Sequence, residues 1–374
     1  MPRKRKVQLK ETNTDVASET VKPAQLNPSG ERSFCVSLLK DGQTFKSGSM
    51  DPQDFVHMID LASVTWIDYW AVDFNKEAPE IASLLGFSNH LIGSLLKCST
   101  SAYEDFDSEL GLLLPAVHVQ EFDVHTTPLL ILMRNNFILT IHTAEIRRFL
   151  RVRRYAETFM KKIPTNASPA DRVTMLLIRL IDENNSRNFD HLREIEASGD
   201  HLHKILSDQT TPRNILGPEI YKMKHALITY LGALWATLDV LNTLRYGDPE
   251  LLTDDDRLLE RVGALSTDVN GQISLAEHLS EVLASGLEVL QSIYNNQLQV
   301  LNNKLALLVA YMTIFGTAFL VPNTIATALS NPAFGMTPSD AWWYVILLVV
   351  STIASAFIAY WWVKEKGWFP SKVE

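Results

Sequence analysis

The chain has 374 residues, 43 of them acidic and 34 basic, for a net charge of −9. Its mean hydropathy of +0.01 averages two unlike parts, a polar body of roughly 300 residues and a strongly apolar C-terminal stretch. Only Cys35 and Cys98 occur, which excludes a disulfide framework and a cysteine-rich metal site.

The start, Met1-Pro-Arg-Lys-Arg-Lys-Val, is basic and then polar, so no secretory leader is predicted. Residues 1–32 are rich in Lys, Glu, Thr, Ser and Pro without apolar periodicity, and read as a disordered tail whose basic run can touch anionic lipid. From Ser33 to about Thr143, strand-like and helical runs alternate. Val64–Asp68, Gly111–Val119, Leu129–Met133 and Phe137–His142 read as strands, and Glu77–Leu85 and Asn89–Lys97 as helices. This predicts an α/β domain, sandwich-like with helices on a sheet. Beyond Ala144 the pattern is helical: Arg147–Lys162, Asp171–Leu206 as one run, and Pro218–Tyr246, ended by Gly247-Asp248-Pro249. Arg257–Thr267 continues as helix, and Asp268–Gly271 is expected to loosen it. Ser274–Ser330 reads as one long helix with Leu275, Leu279, Leu283, Leu287 and Leu290 as its apolar stripe.

That helix enters a stretch, Leu305–Val363, of 59 residues with one charged side chain, Asp340. About 20 apolar residues cross a bilayer core, so Leu305–Leu329 and Ala341–Val363 each suffice for a span. Lys304, Lys364 and Lys366 flank the pair while the loop has no basic residue, which predicts cytoplasmic ends and an outer loop. The expected organisation is a cytoplasmic domain at 33–271, a cytoplasmic stalk at 272–304, a pore-lining span at 305–329 and a loop at 330–340. A second span at 341–363 and a cytoplasmic tail at 364–374 complete it.

Steps of three and four residues along the first span give Asn303, Ala306, Ala310, Thr313, Thr317, Leu320, Thr324, Thr327 and Asn331 on one face. Most are small or carry a neutral hydrogen-bonding group. Such a face can be a packing surface between membrane helices, with threonine hydroxyls returned to their own backbone. It can equally be a pore wall when several copies ring an axis; two spans alone cannot enclose a pore. A neutral wall suits hydrated Mg²⁺, which gives up its water reluctantly. Inward movement of a divalent ion gains about 4.6 kcal/mol per 100 mV, twice the single-charge value. No Walker-type or dinucleotide glycine loop occurs, so potential-driven flux is the simplest mechanism. No Ser/His/Asp, HExxH or Cys/His constellation supports an enzyme, and no nucleic-acid partner is expected.

Several phrases carry a resemblance. Trp66-Ile67-Asp68, Leu84-Leu85-Gly86-Phe87, Tyr103-Glu104-Asp105-Phe106 and Asn136-Phe137-Ile138-Leu139-Thr140-Ile141-His142 precede a first span with Met312-Thr313-Ile314, Pro322 and Thr324. In these, and in layout over about residues 34–366, the chain resembles the CorA-type divalent cation transporters, the two-span GxN family. The resemblance implies a homopentameric funnel, first spans lining a pore, second spans outside, and gating by intracellular cation held between subunits. The family's Gly-Met-Asn signature is altered: Gly335-Met336-Thr337 matches two of three residues, whereas counting from Pro322 points to Asn331. Filter candidates are therefore Asn331, Gly335, Met336 and Thr337. Asp254-Asp255-Asp256 is a candidate regulatory Mg²⁺ site by its hard oxygens, and equally a solvated helix start. Mg²⁺ is the expected cargo, with Co²⁺ and Ni²⁺ as related ions. A Zn²⁺ transporter of the same superfamily and a non-conducting membrane-anchored sensor or scaffold are the alternatives. No cofactor beyond the ion is expected.

Overall fold

The computed structural model describes residues 31–98, 101–106, 108–207, 213–331, 335, 337, 339 and 341–365. Nearly all of the 1–32 tail lies outside them. The chain divides into two compact units, Met1–Leu283 and Ala284–Glu374.

The first unit is built on one sheet of seven strands: β1 (Ser33–Leu39), β2 (Thr44–Ser49), β3 (Ala62–Ala71), β4 (Ala102–Phe106), β5 (Glu109–Gln120), β6 (Asp123–Arg134) and β7 (Phe137–Thr143). Their order is β2-β1-β3-β7-β6-β5-β4, and β3 with β7 is the parallel pair. Alternate residues of the strands feed two apolar layers, as the two-residue period of a strand requires. Val36, Trp66, Leu112 and Ile131 enter one layer; Cys35, Ile67, Leu113 and Leu130 enter the other. The second layer is closed by α2 (Phe74–Leu84) and α3 (Asn89–Leu95), capped by the side chains of Asp73 and Ser88. A short α1 (Val56–Leu61) leads into β3. At Gly111 α3 packs close on the sheet: a Cβ there would lie 2.3 Å from Leu95 Cδ1 and 3.0 Å from Leu91 Cδ1.

The opposite layer is covered by α4 (Arg147–Met160), α5 (Pro169–Asn185), α6 (Asn188–Ser207), α7 (Arg213–Tyr246) and the first part of α8 (Asp256–Leu329). Two expectations change here. Asp171–Leu206 is not one helix but breaks at Ser186-Arg187, after Asn184-Asn185, where short polar side chains compete for backbone groups. Asp268–Gly271 does not loosen the chain, and α8 begins at Asp256 rather than Ser274. Leu265, Val269, Ile273 and Ala276 on either side of Gly271 are buried in the core, and that packing overrides glycine's weak helix propensity.

Helix α7 is long and apolar enough by composition to cross a membrane, at mean hydropathy 1.3, yet half of its most apolar window is buried within the protein. Ala226, Leu227, Tyr230, Leu234, Leu238 and Leu241 join the core layer, and the helix packs on β5 and β6. It is a helix of the sheet domain.

The two phrases Trp66-Ile67-Asp68 and Thr140-Ile141-His142 meet through the parallel β3–β7 register, with Trp66 opposite Ile138 and Asp68 opposite Thr140. Trp66 Nε1 donates to Thr140 Oγ1 (2.9 Å), and Thr140 Oγ1 donates to Asp68 Oδ1 (2.6 Å). Arg153 Nε of α4 donates to Asp68 Oδ2 at 2.7 Å, and His142 Nε2 lies 3.1 Å from Asp68 Oδ1. Burial alone would raise the Asp68 carboxyl; Arg153 and His142 outweigh it and hold it well below the usual carboxylate range. A buried charge this well paired fixes α4 against the sheet.

Candidate functional site

The second unit contains the remainder of α8 and α9 (Ala341–Glu365), both long and apolar enough to span a bilayer. Within it, α8 turns a defined side toward α9. Ala318 and Pro322 are buried, and Ile314, Ile325 and Leu329 are half-buried, all at steps of three or four residues. At about 100° per residue, Thr313, Leu320, Thr324, Thr327 and Asn331 lie roughly 120–180° around the helix from Ala318. These five and Thr317 are exposed, while Ala310 and Asn303 are half-buried. The polar stripe thus lies mostly on the side of α8 that α9 does not cover. Thr313 and Thr317 stand at its edge and also border a groove of about 430 Å³ between the two helices, with Ser351, Ala354 and Ser355 opposite.

The threonine hydroxyls are all turned to the helix backbone. Thr313 donates to Val309 O (2.9 Å), Thr317 to Thr313 O (3.0 Å), Thr324 to Leu320 O and Thr327 to Asn323 O (both 2.8 Å). A hydroxyl has one hydrogen and two lone pairs. With each hydrogen committed inward, the face offers oxygen lone pairs outward and no charge.

Pro322 has no N–H, so the carbonyl four residues earlier, that of Ala318, loses its usual helical donor. Ser355 Oγ of α9 donates to Ala318 O at 2.9 Å. The sequence shows that Pro322 removes a backbone donor within the span, but not which group takes its place. The available signal was chemical, since in lipid a freed carbonyl needs a donor from a neighbouring helix; which hydroxyl supplies it depends on the α8–α9 register.

Of the filter candidates, Asn331 follows the end of α8, its N–H donating to Ala328 O at 3.2 Å. Gly335 adopts φ +56°, in the left-handed region. Thr337 and Ser339 share a hydroxyl–hydroxyl hydrogen bond of 2.7 Å. Met336 lies outside the described residues. The acidic run is placed at the start of α8: Asp255 Oδ1 accepts from Arg257 N at 2.8 Å, and all three carboxylates are exposed. Among the described residues no group of three or more His, Cys, Asp or Glu side chains is arranged to hold a metal ion.

Comparison with known proteins agrees with this layout. The cobalt/magnesium transport protein CorA of Methanocaldococcus jannaschii is 24% identical over 265 residues, covering 70% of this chain and 78% of that protein. The complete structure of the CorA magnesium transporter of that organism superposes with a TM-score of 0.64 at 20% identity, over 87% of this chain and 96% of that one. The cytoplasmic domain of ZntB from Vibrio parahaemolyticus shares the fold at a TM-score of 0.50 and 12% identity, covering 71% of this chain and 99% of that domain. The model of the CorA-like Mg²⁺ transporter family matches residues 62–365, from β3 through α9, and the chain belongs to that family of membrane proteins.

Proposed function

We propose that this divalent cation transporter works as a homopentameric channel passing hydrated Mg²⁺ inward, with α8 of each subunit facing the axis. The observation that carries the reading is the uncharged threonine face of α8, set mostly away from α9 with its acceptor oxygens outward. Water bound to a cation points its hydrogens outward, so a hydrated cation meets such a wall as a hydrogen-bond donor. No carboxylate is needed in the span, where its charge would hold a divalent ion too tightly to release it. The CorA relative, named for cobalt/magnesium transport and matched both in sequence and in its solved structure, supports the choice of ion. In this reading the loop with Asn331, Gly335, Met336 and Thr337 forms the outer mouth.

Uptake into liposomes under an inward-negative potential tests it. Mg²⁺ flux is expected, with Co²⁺ and Ni²⁺ competing. Thr317→Leu and Thr324→Leu, which replace acceptor oxygens by apolar groups, are expected to lower flux by about tenfold, the equivalent of roughly 1.4 kcal/mol. Zn²⁺ flux sensitive to a proton gradient would move the assignment to a Zn²⁺ transporter. No flux of any divalent ion, with both variants assembling normally, would leave a tethering scaffold.

A further inference from the structure

We propose that Ser355 is a positioning residue for the pore helix: its hydroxyl latches α9 to the Ala318 carbonyl that Pro322 leaves without a donor. The inference rests on the channel reading for its consequence and on the hydrogen bond alone for its geometry. Every other residue of α8 before Leu329 lies in an unbroken helix, so the missing N–H of Pro322 marks the one place where proline interrupts the ladder. An unpaired carbonyl in hydrocarbon costs several kcal/mol, so the donor at 2.9 Å is a strong constraint on where α9 sits.

The latch also has a second position. Ser355 Oγ lies 3.1 Å from Thr352 O on its own helix. One hydrogen serves one of these carbonyls well at a time. Turning the hydroxyl from Ala318 O to Thr352 O releases α8 without leaving Ser355 unsatisfied. Thr313 and Thr317 lie before the proline, Thr324 and Thr327 after it. The bond to Ala318 therefore sets how the two halves of the threonine face line up, and its exchange lets them move apart.

The test uses the full chain, with Mg²⁺ flux in liposomes and thermal unfolding in detergent as separate readouts. Ser355→Thr and Ser355→Val have the same shape and differ in the hydroxyl. Threonine is expected to stay within about twofold of the wild-type flux and valine to fall about fivefold, the worth of one hydrogen bond. Pro322→Ala returns an N–H to Ala318 O, so adding Ser355→Val to it is expected to change neither flux nor unfolding temperature further. Equal behaviour of the threonine and valine variants, or the same loss from Ser355→Val with and without Pro322, would overturn the latch. If the wild-type protein passes no Mg²⁺, the channel reading fails. The unfolding temperatures still decide the latch, since the valine variant must then melt lower than the threonine variant only when Pro322 is present.

Discussion

At the residue scale, two of the phrases singled out in the sequence, Trp66-Ile67-Asp68 and the one from Asn136 to His142, turn out to be parts of one buried network. Trp66, Asp68, Thr140 and His142 stand out as sequence, but the partner of Asp68 on α4, Arg153, does not. Arg153 is one of several basic residues in α4, and nothing in the sequence marks it as the one that meets Asp68. Asp68→Ala strands Arg153 in the interior and is expected to cost about 3–5 kcal/mol, measurable by denaturant unfolding of the detergent-solubilised protein. A second set of groups governs acid stability. Burial, and next Arg148, push His118 and His191 down to about 4. Their folded values lie below the unfolded value of about 6.5. Their contribution is thus complete above that pH and is lost as pH falls toward 4. Asp68 adds its own loss only at lower pH, because its depressed carboxyl protonates in the unfolded chain first near 4. Unfolding temperature should therefore fall between pH 6.5 and 4, and fall less in His191→Gln. An unchanged slope would remove the histidines from the account.

At the element scale, helices and strands with clean periodicity were legible in advance, and departures from periodicity were not. Asp268–Gly271 looked like an interruption because sequence cannot show that Leu265, Val269 and Ile273 are held in a core. The break at Ser186-Arg187 lies in the polar run Asp182–Asn188, where the sequence has neither glycine nor proline to mark the end of a helix. The stripe on α8 could be read as a face from spacing alone, but not which side α9 covers. Close approach is equally invisible: Gly111 reads as a weak point in a strand, yet it is the contact that admits α3. Gly111→Val should overpack this layer, at about 1–3 kcal/mol in the same unfolding measurement. A neutral outcome would mean that α3 shifts freely.

At the scale of the whole molecule, two spans cannot surround a path for ions, so the proposed channel requires copies. A ring formed by one repeated heterologous interface closes only at a fixed number of subunits. The mass in detergent, corrected for bound detergent, is expected to be about five times 42.1 kDa. A monomer or dimer active in flux would sink the pentameric model. The family layout was legible from the apolar stretch near the C-terminus, with its single charged residue, and the phrases upstream, because membrane thickness and strand pairing impose strong length and spacing rules. The α8–α9 latch was not, because helix register inside a bilayer depends on a few tenths of a turn.

Helix α7 carries a consequence for how the protein is made. By composition an insertion machinery would accept Gly217–Tyr246 as a span, which would give an odd number of crossings and send the last segments to the wrong sides. The strands that bury it, β5 and β6, end at Arg134 and leave the ribosome well before α7 does. Synthesis order thus lets the sheet claim the helix first. Mutations that slow the sheet's folding should show up not only as unfolded protein but as inverted topology.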